Sequence, residues 1–367
     1  MPLVKPLPGD HDGSEPLERQ HGHYRGKRRH RCWKKPPGCQ RPATEQAHTS
    51  TRPGGNPVSA IAMFYTRVTL SILSATLLTS ACATPPLPES STAPVAATQN
   101  TLSPDAMARL AAVLDGQPDR VKARYAHRHP QETLEFFGIE PGMTVIEALP
   151  GAGWYSKILL PYLGEKGQLI GADYALAMWA KFDFTTPASL EKRNTWPGDW
   201  TARAEKWRQP GDAQVAAFQL GSLPEELVAN VDAVLLVRAL HNMARFENEG
   251  GFLSTAIQQA YRALKPGGIA GVVQHCARDD MPDDWARGLN GYLKRDFVID
   301  QMERAGFELV GESDINANAK DQPTVDDFVW HLSPSLETSR NDRTLRTRLK
   351  SIGESNRMTL KFRKPNS

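Results

Sequence analysis

The sequence predicts an α/β domain with a doubly wound, mostly parallel seven-stranded sheet that ends in an antiparallel strand pair. Three observations support this fold class. Short, almost continuously apolar runs alternate with helical segments, as expected for parallel strands covered on both faces. The last run, "RMTLKFRKP", alternates polar and apolar residues, as half-solvated antiparallel strands do. A glycine turn, "PGAGW", follows the first apolar run, at the place where such sheets bind ligands.

The predicted elements follow one another from residue 103. Ser103-Pro104-Asp105 caps and opens a helix, and a further helix in "HPQETLEFFGI" ends at Gly138. Strands one and two are "MTVIEAL" and "GQLIGADY", with the helix "WYSKILLPYL" between them, and a third strand lies near "QVAAFQL". Strand four is "VDAVLLV", the helix "FLSTAIQQAYRAL" follows, and strand five is "GIAGVVQHC". Another helix then turns at Gly306 into a strand.

The last predicted strand has one polar and one apolar face. Because successive side chains of a strand point to opposite sides of the sheet, alternate residues share a face. We expect the polar set to face solvent and the apolar set to face the core: Arg357, Thr359 and Lys361 outward, and Met358, Leu360 and Phe362 inward.

Basic residues are unevenly distributed along the chain. The 367 residues include 44 Lys and Arg against 41 Asp and Glu, a formal net charge of +3. Residues 1–82 hold 12 of the basic and 5 of the acidic residues, so the remainder has four more acidic than basic residues. Since the globular part has no excess of positive charge, we expect no nucleic-acid partner.

The first 62 residues are rich in Arg, His, Pro and Gly and lack hydrophobic periodicity. Such a segment buries too little apolar surface to offset its ordering, so we expect a disordered or artefactual leader, with translation starting at Met63. Cys32 and Cys39 lie near histidines, but six residues separate them. Structural zinc sites use shorter paired spacings, so no metal site is predicted.

Residues 63–82 have the pattern of an export signal. Arg67 is positively charged, Val68 to Ala81 form an apolar stretch too short to span a bilayer comfortably, and small residues precede Cys82. The segment resembles a bacterial lipoprotein signal peptide, which implies lipidation of Cys82, although Thr79 stands where Leu is usual. An ordinary cleaved signal and a membrane anchor are the alternatives.

The expected location follows from this signal. A lipid on Cys82 would make the chain a membrane-anchored lipoprotein of the bacterial periplasm. Residues 83–103, rich in Pro, Ser, Thr and Ala, are then a flexible tether, and residues 104–367 form the globular domain.

The glycine turn after strand one predicts a nucleoside ligand. Gly151 and Gly153 tolerate positive φ and let a ligand approach the backbone without a Cβ in the way. Asp173 lies twenty residues after Gly153, at the end of strand two, where a carboxylate accepts hydrogen bonds from both ribose hydroxyls.

Two nucleoside cofactors compete for this turn. A dinucleotide would seat its pyrophosphate on the helix N-terminus, near Ser156. Three features resemble those of class I methyltransferases: Glu147, four residues before Gly151, the turn "LKPGG" before strand five, and the antiparallel end of the sheet. This resemblance favours S-adenosylmethionine.

Beyond these single features, the chain resembles a bacterial family of exported predicted methyltransferases with the Rossmann-like fold of class I S-adenosylmethionine-dependent enzymes. The likeness spans about Asp105 to Pro365 and is carried by several long stretches. They are "RHPQETLEFFGIEPG", "PGAGWYSKILLPYL", "VRALHNM", "LKPGG", "VVQH", "AGFELVGESDINANAKD", "VWHLSP" and "IGESNRMTLKFRKP".

The resemblance implies S-adenosylmethionine as cofactor and a set of residues that bind it: Glu147, Pro150, Gly151, Gly153, Tyr155 and Asp173. Two positions depart from the pattern. Leu149 stands where the general methyltransferase loop has its first glycine, a glycine that this family also lacks, and Ala152 stands where relatives often have another glycine. The side chain of Leu149 is expected to narrow the cofactor pocket.

Three residues after strand four are candidates for catalysis. Methyl transfer needs an aligned donor and nucleophile and, for a poor nucleophile, the removal of a proton. His241 is the candidate general base, Arg238 would hold an acidic group of the substrate, and Asn242 would orient substrate or base. A loop-stabilising hydrogen bond is the alternative role of His241. For His275, after strand five, we expect a structural role at the sheet edge.

Four of the eight tryptophans lie in one stretch after strand two: Trp179, Trp196, Trp200 and Trp207. Packing of a helical insertion is one interpretation, and a lid over the ligand is the other. Residues 316–321 are interpreted as a loop held by Asn side chains.

Two functions from different classes remain open. One is a methyltransferase acting on a small or envelope-associated acceptor. The other is a non-catalytic envelope lipoprotein that uses a degenerate methyltransferase cleft for another ligand, because S-adenosylmethionine is made in the cytoplasm and fold does not fix function. A nicotinamide dinucleotide-binding oxidoreductase is a third.

Overall fold

The computed structural model describes residues 102–366. The predicted leader, the signal segment with Cys82 and the tether up to residue 101 lie outside the described residues. Leu102 is buried, and the hydroxyl of Ser103 accepts a hydrogen bond from the N–H of Ala106, 3.2 Å away. Leu102 and Ser103, which the sequence assigned to the tether, are therefore part of the packed domain.

Within residues 102–366 the helices and strands alternate as expected. The helices are α1 (Pro104–Asp115), α2 (Asp119–Lys122), α3 (Tyr125–Arg128), α4 (Pro130–Phe137), α5 (Ser156–Leu163), α6 (Leu176–Trp179), α7 (Pro187–Asn194), α8 (Trp196–Glu205), α9 (Leu240–Arg245), α10 (Phe252–Ala263), α11 (Arg295–Arg304) and α12 (Arg343–Ile352). The strands are β1 (Thr144–Ala148), β2 (Gln168–Asp173), β3 (Gln214–Gln219), β4 (Val231–Val237), β5 (Leu264–His275), β6 (Glu308–Ser313) and β7 (Arg357–Arg363).

All seven strands belong to one sheet, in the order β3-β2-β1-β4-β5-β7-β6. The first five strands are parallel, whereas β7 is antiparallel to both of its neighbours. This confirms the predicted fold class, a doubly wound, mostly parallel seven-stranded sheet with an antiparallel strand pair at one end. The inserted antiparallel strand distinguishes the sheet from the 3-2-1-4-5-6 order of dinucleotide-binding domains.

The prediction for the faces of β7 is wrong on its polar side. Arg357, Thr359 and Lys361 are buried, as are the alternate apolar residues. The reason is that β7 is an interior strand and its second face is covered by α3, α4 and the loop after β6. Asn316 of that loop donates hydrogen bonds to Thr359 Oγ1 at 3.1 Å and to Thr133 Oγ1 of α4 at 3.0 Å.

Each face of the sheet carries its own apolar core. Val145 of β1 packs with Leu169 and with helices α1, α4 and α5 on one face, and the next residue, Ile146, packs with Ile170 and α10 on the other. Burial of both faces explains why the strands read as continuous apolar runs.

The strand order reverses between β1 and β4. From β1 the chain goes on to β2 and β3 on one side, while β4 and β5 lie on the other. The loops that leave the carboxyl ends of β1 and β4 therefore diverge, and the crevice between them is where open α/β sheets bind ligands.

Candidate active site

A cavity of about 200 Å³ opens at this crevice. Its walls come from three parts of the chain: the turn after β1, the segment after β4, and the residues around α3. The aromatic side chains of α6 and the following turn close one side. The cavity thus lies where the sequence places the ligand.

The candidates for catalysis and for cofactor binding are placed differently. Arg238, His241 and Asn242 all line the cavity. Of the six predicted cofactor-binding residues, only Pro150 and Gly151 do so. The other four lie behind the cavity wall: Glu147, Gly153, Tyr155 and Asp173.

The turn after β1 is wound through left-handed backbone conformations. Leu149 has a φ of +53°, Gly151 of +56° and Gly153 of +77°. Leucine rarely adopts such a conformation, so position 149 has the backbone of a glycine while carrying an isobutyl group into the cavity wall. A Cβ on Gly153 would lie 2.4 Å from the ring of Trp207, which shows that this glycine makes room for a tryptophan.

Glu147 lies under the turn and not in the cavity. Its Oε2 accepts a hydrogen bond of 2.6 Å from the hydroxyl of Ser156, at the start of α5. Burial raises the pKa of Glu147 to about 7, against the opposing effect of the Ser156 hydrogen bond. The carboxyl group is therefore partly protonated near neutral pH, which weakens its ability to hold an ammonium group.

Asp173 ends β2 as predicted, but its carboxylate already has partners. Its Oδ2 accepts a 3.1 Å hydrogen bond from the indole N–H of Trp179 and lies 3.5 Å from the guanidinium of Arg193. The same guanidinium stacks on the Trp179 ring, 3.8 Å from its centroid. Burial raises the pKa of Asp173 to about 6, although Arg193 opposes this shift. A ribose would have to compete with these two side chains for Oδ2.

Three of the four clustered tryptophans pack as part of the fold. Trp200 is fully buried against Gly171 of β2, Trp196 stacks on it with ring centroids 5.9 Å apart, and Trp207 covers Gly153. Only Trp179 of this group lines the cavity. The packing interpretation therefore holds for Trp196, Trp200 and Trp207.

The surroundings of His241 determine its tautomer. Gln274 Nε2 donates to the carbonyl of Gly291 at 3.1 Å, which fixes the amide orientation, and the same nitrogen lies 3.4 Å from His241 Nδ1. Nδ1 is then an acceptor and the proton of the neutral ring is on Nε2. In this tautomer His241 suits donating a hydrogen bond to a ligand oxygen better than removing a proton. Its role as a general base stays a prediction.

His275 is bound to the sheet edge, as expected. Its Nδ1 lies 2.5 Å from the hydroxyl of Ser355. Burial lowers the pKa of His275 well below its usual value, and His241 and nearby arginines add to the effect. Tyr155 is also structural: its ring is buried and packs edge-on against Trp154, with centroids 4.7 Å apart.

A group of charged residues beside the cavity was missed by the sequence reasoning. Glu354 accepts hydrogen bonds from Arg124 at 2.6 and 2.8 Å, and lies 3.4 Å from Arg128 Nε and 3.2 Å from Arg357 Nη1. Together with Arg238 these three arginines are called the arginine cluster below. Burial alone would raise the pKa of Glu354, but the four arginines outweigh it and lower the pKa to about 2.

A signal for this group was present in the sequence. Arg128 opens the stretch "RHPQETLEFFGIEPG", and Glu354 and Arg357 lie in "IGESNRMTLKFRKP", two of the stretches that carry the family resemblance. Charged residues inside such distinctive stretches are candidates for buried pairs, because Arg and Glu are almost never fully buried unless they are paired. Their mutual contact spans more than 220 residues of chain and could not be inferred.

No protein-family model matches this sequence, and no curated protein sequence does. Among solved structures, similar ones include the [4+2]-cyclase SpnF (19% identity, TM-score 0.42, covering 66% of this chain and 82% of that chain). Two others are a SAM-dependent methyltransferase from Aquifex aeolicus (19%, 0.36, 55% and 93%) and the arsenic(III) S-adenosylmethionine methyltransferase CrArsM from Chlamydomonas reinhardtii (18%, 0.36, 70% and 73%). At these values the matches carry no functional argument, and the fold assignment rests on the strand order.

Two further properties bear on the function. No helix among residues 102–366 combines the length and the apolar character that a membrane crossing needs. Over the same residues, no three His, Cys, Asp or Glu side chains are grouped in a way that would hold a metal ion.

Proposed function

We propose that this protein is an S-adenosylmethionine-dependent methyltransferase that acts on a small or envelope-associated acceptor. The observation that carries the proposal is the position of the cavity. It lies at the strand-order reversal of a 3-2-1-4-5-7-6 sheet, between a left-handed glycine turn after β1 and the polar segment after β4. Ligand cavities of α/β sheets form at this point.

The residues predicted to bind the cofactor lie at the right places in the fold, but the Asp173 carboxylate is already bonded to other side chains. Gly151 lines the cavity, and Asp173 ends the neighbouring strand β2, where a ribose would lie. The cavity volume of about 200 Å³ is below the roughly 300–1,000 Å³ of sites for drug-sized ligands. Cofactor binding therefore requires the segment of α6 and α7 to move, so that Trp179 and Arg193 release Asp173.

Bound near Gly151 and Asp173, S-adenosylmethionine would supply an electrophilic methyl group on a sulfonium sulfur that can leave as a neutral thioether. The chain's own residues then position the acceptor. His241 donates a hydrogen bond from Nε2, and Arg238 holds a negative group. The apolar side chain of Leu149 lines the cavity and excludes water from the reacting atoms.

The test is isothermal titration of the full-length chain with S-adenosylmethionine and S-adenosylhomocysteine. We expect micromolar dissociation constants that rise at least ~10-fold in Asp173→Ala, because a charge-assisted hydrogen bond contributes about 1.5–3 kcal/mol. The matched control is Asp115→Ala, whose side chain is 93% exposed and pairs with Lys122 on the surface. Absence of heat at millimolar cofactor would overturn the proposal.

One set of contacts favours the second candidate, a non-catalytic lipoprotein with a degenerate cleft. Asp173 is engaged by Trp179 and Arg193, and Glu147 by Ser156, so both acids are occupied within the fold. The variant Arg193→Ala separates the two functions. A methyltransferase should bind S-adenosylhomocysteine more tightly once Asp173 is released, whereas a degenerate cleft should not bind it in either form.

We also propose that the chain is a periplasmic lipoprotein anchored by a lipid on Cys82. The support is the sequence pattern of residues 63–82. Metabolic labelling with a palmitate analogue in a bacterial host should mark the wild-type chain, and Cys82→Ser should remove both the label and membrane sedimentation. Labelling that persists in Cys82→Ser would contradict the assignment.

A further inference from the structure

The lining of the cavity has a strong charge bias. Three of the four members of the arginine cluster face it, namely Arg124, Arg128 and Arg238, together with His241 and His275. Among the described residues no Asp or Glu lines it. Glu354 is the one carboxylate in contact with the arginine cluster among the described residues, and it cannot balance four guanidinium groups. An excess positive charge is thus held at the cavity.

Arg128 is a buried cation with unused hydrogen-bonding capacity. Its side chain is 4% exposed, and only its Nε contacts Glu354, at 3.4 Å. Its Nη2 is enclosed and has no hydrogen-bond partner within residues 102–366. Burial lowers the pKa of Arg128 well below its usual value, and the nearby Arg238 adds to the effect. A buried, unsatisfied guanidinium is costly unless an anion completes it.

The rest of the lining is aromatic and apolar. Trp154, Tyr174, Trp179, Phe182 and Trp330 surround the charged residues. Such a site suits a small molecule with an apolar, planar body and one anionic group, since aromatic walls bind flat apolar surfaces and guanidinium groups bind carboxylate or phosphate oxygens.

We infer that the arginine cluster binds the anionic group of the methyl acceptor, and that the acceptor is a small planar carboxylate or phosphate-bearing molecule. That the bound molecule is a methyl acceptor rests on the proposed function, whereas the binding of an anion by the arginine cluster does not. A carboxylate held by guanidinium groups is a weak nucleophile, so the atom that receives the methyl group is another one on the same molecule, near His241.

The experiment uses benzoate as a planar anion and benzamide as its neutral isostere, titrated into the full-length chain with and without saturating S-adenosylhomocysteine. We expect benzoate to bind in both cases and benzamide at least ~10-fold more weakly, since a charge-assisted pair contributes about tenfold or more. Arg238→Gln should weaken benzoate binding at least ~10-fold, and Arg238→Lys should restore only part of it because the paired donors are lost. Arg304→Gln, on the exposed face of α11, is the matched control and should bind benzoate like wild type.

Each outcome bears on a different statement. Equal binding of benzoate and benzamide, or no loss in Arg238→Gln, overturns the anion site. Competition between benzoate and S-adenosylhomocysteine assigns the arginines to the cofactor's own carboxylate and overturns the acceptor assignment. Binding of benzoate that depends on Arg238, in a chain that binds no S-adenosylhomocysteine, supports the anion site and removes the proposed methyltransferase function.

Discussion

Replacing Glu354 by glutamine tests the electrostatics of the arginine cluster directly. Its carboxylate is 5% exposed and contacts Arg124, Arg128 and Arg357 within 3.4 Å. The pKa of Glu354 falls from its usual 4.5 to about 2, and one pKa unit corresponds to about 1.4 kcal/mol, so ionisation stabilises the fold by about 3 kcal/mol. Breaking a buried pair by removing one partner costs a similar ~3–5 kcal/mol. The midpoint of thermal unfolding should therefore drop by roughly 6–20 °C at pH 7.

The pH dependence gives this prediction its sharpest form. A carboxyl group with a depressed pKa in the folded state stabilises the fold above its unfolded pKa, and this contribution is lost as the pH falls through the folded pKa. The difference between wild type and Glu354→Gln, measured by denaturant titration, should shrink between pH 4.5 and about pH 2. In the control Glu308→Gln, an exposed pair with Arg363, the change should stay below about 1 kcal/mol. A Glu354→Gln variant as stable as wild type at pH 7 would refute the assigned charge arrangement.

Three further predictions concern the turn after β1. Burial raises the pKa of Glu147 to about 7, so the unfolding free energy of the wild type should fall as the pH rises from about 4.5 through 7. In denaturant titrations the unfolding free energy of Glu147→Gln should gain about 3 kcal/mol on that of the wild type between pH 5 and pH 8. Parallel curves for the two proteins would contradict the raised pKa. Gly153→Ala should lower the unfolding free energy by more than ~2 kcal/mol, because its Cβ would lie 2.4 Å from the ring of Trp207 at a φ of +77°. An unchanged unfolding midpoint would disprove the tight contact. Leu149→Gly keeps the left-handed backbone but relieves the ~1–2 kcal/mol that a Cβ costs there, and it widens the cavity. Calorimetry should therefore show tighter binding of S-adenosylhomocysteine, and weaker binding would mean that the leucine contacts the ligand.

The fold could be predicted from the sequence because its signals are local. Runs such as "VDAVLLV" have the length and composition of doubly buried strands, and their alternation with helices determines a parallel sheet. The error on β7 has a physical cause. The alternation of Arg357, Thr359 and Lys361 with apolar residues indicates a strand, but it does not show whether a distant loop covers the polar face, as Asn316 does here.

For the candidate site, the sequence predicted where the residues lie in the fold but not which side chains they contact. The spacing from Gly153 places Asp173 at the end of β2, whereas the state of its carboxylate depends on Trp179 and Arg193, which lie 6 and 20 residues further on. Arg238, His241 and Asn242 were found because the residue after a parallel strand lies at the functional edge. The residues around Glu354 were not found, since they meet only through the tertiary fold.

The positive cavity also constrains how a sulfonium cofactor and an acceptor would bind together. A sulfonium group is a cation, so the excess positive charge of the arginine cluster would repel it. An anionic group on Arg128 and Arg238 removes that repulsion, whereas the neutral thioether of S-adenosylhomocysteine does not experience it. Benzoate should therefore tighten the binding of S-adenosylmethionine and leave the binding of S-adenosylhomocysteine nearly unchanged. The acceptor and the charged cofactor would then bind cooperatively, whereas the anion would not increase the affinity for the demethylated product.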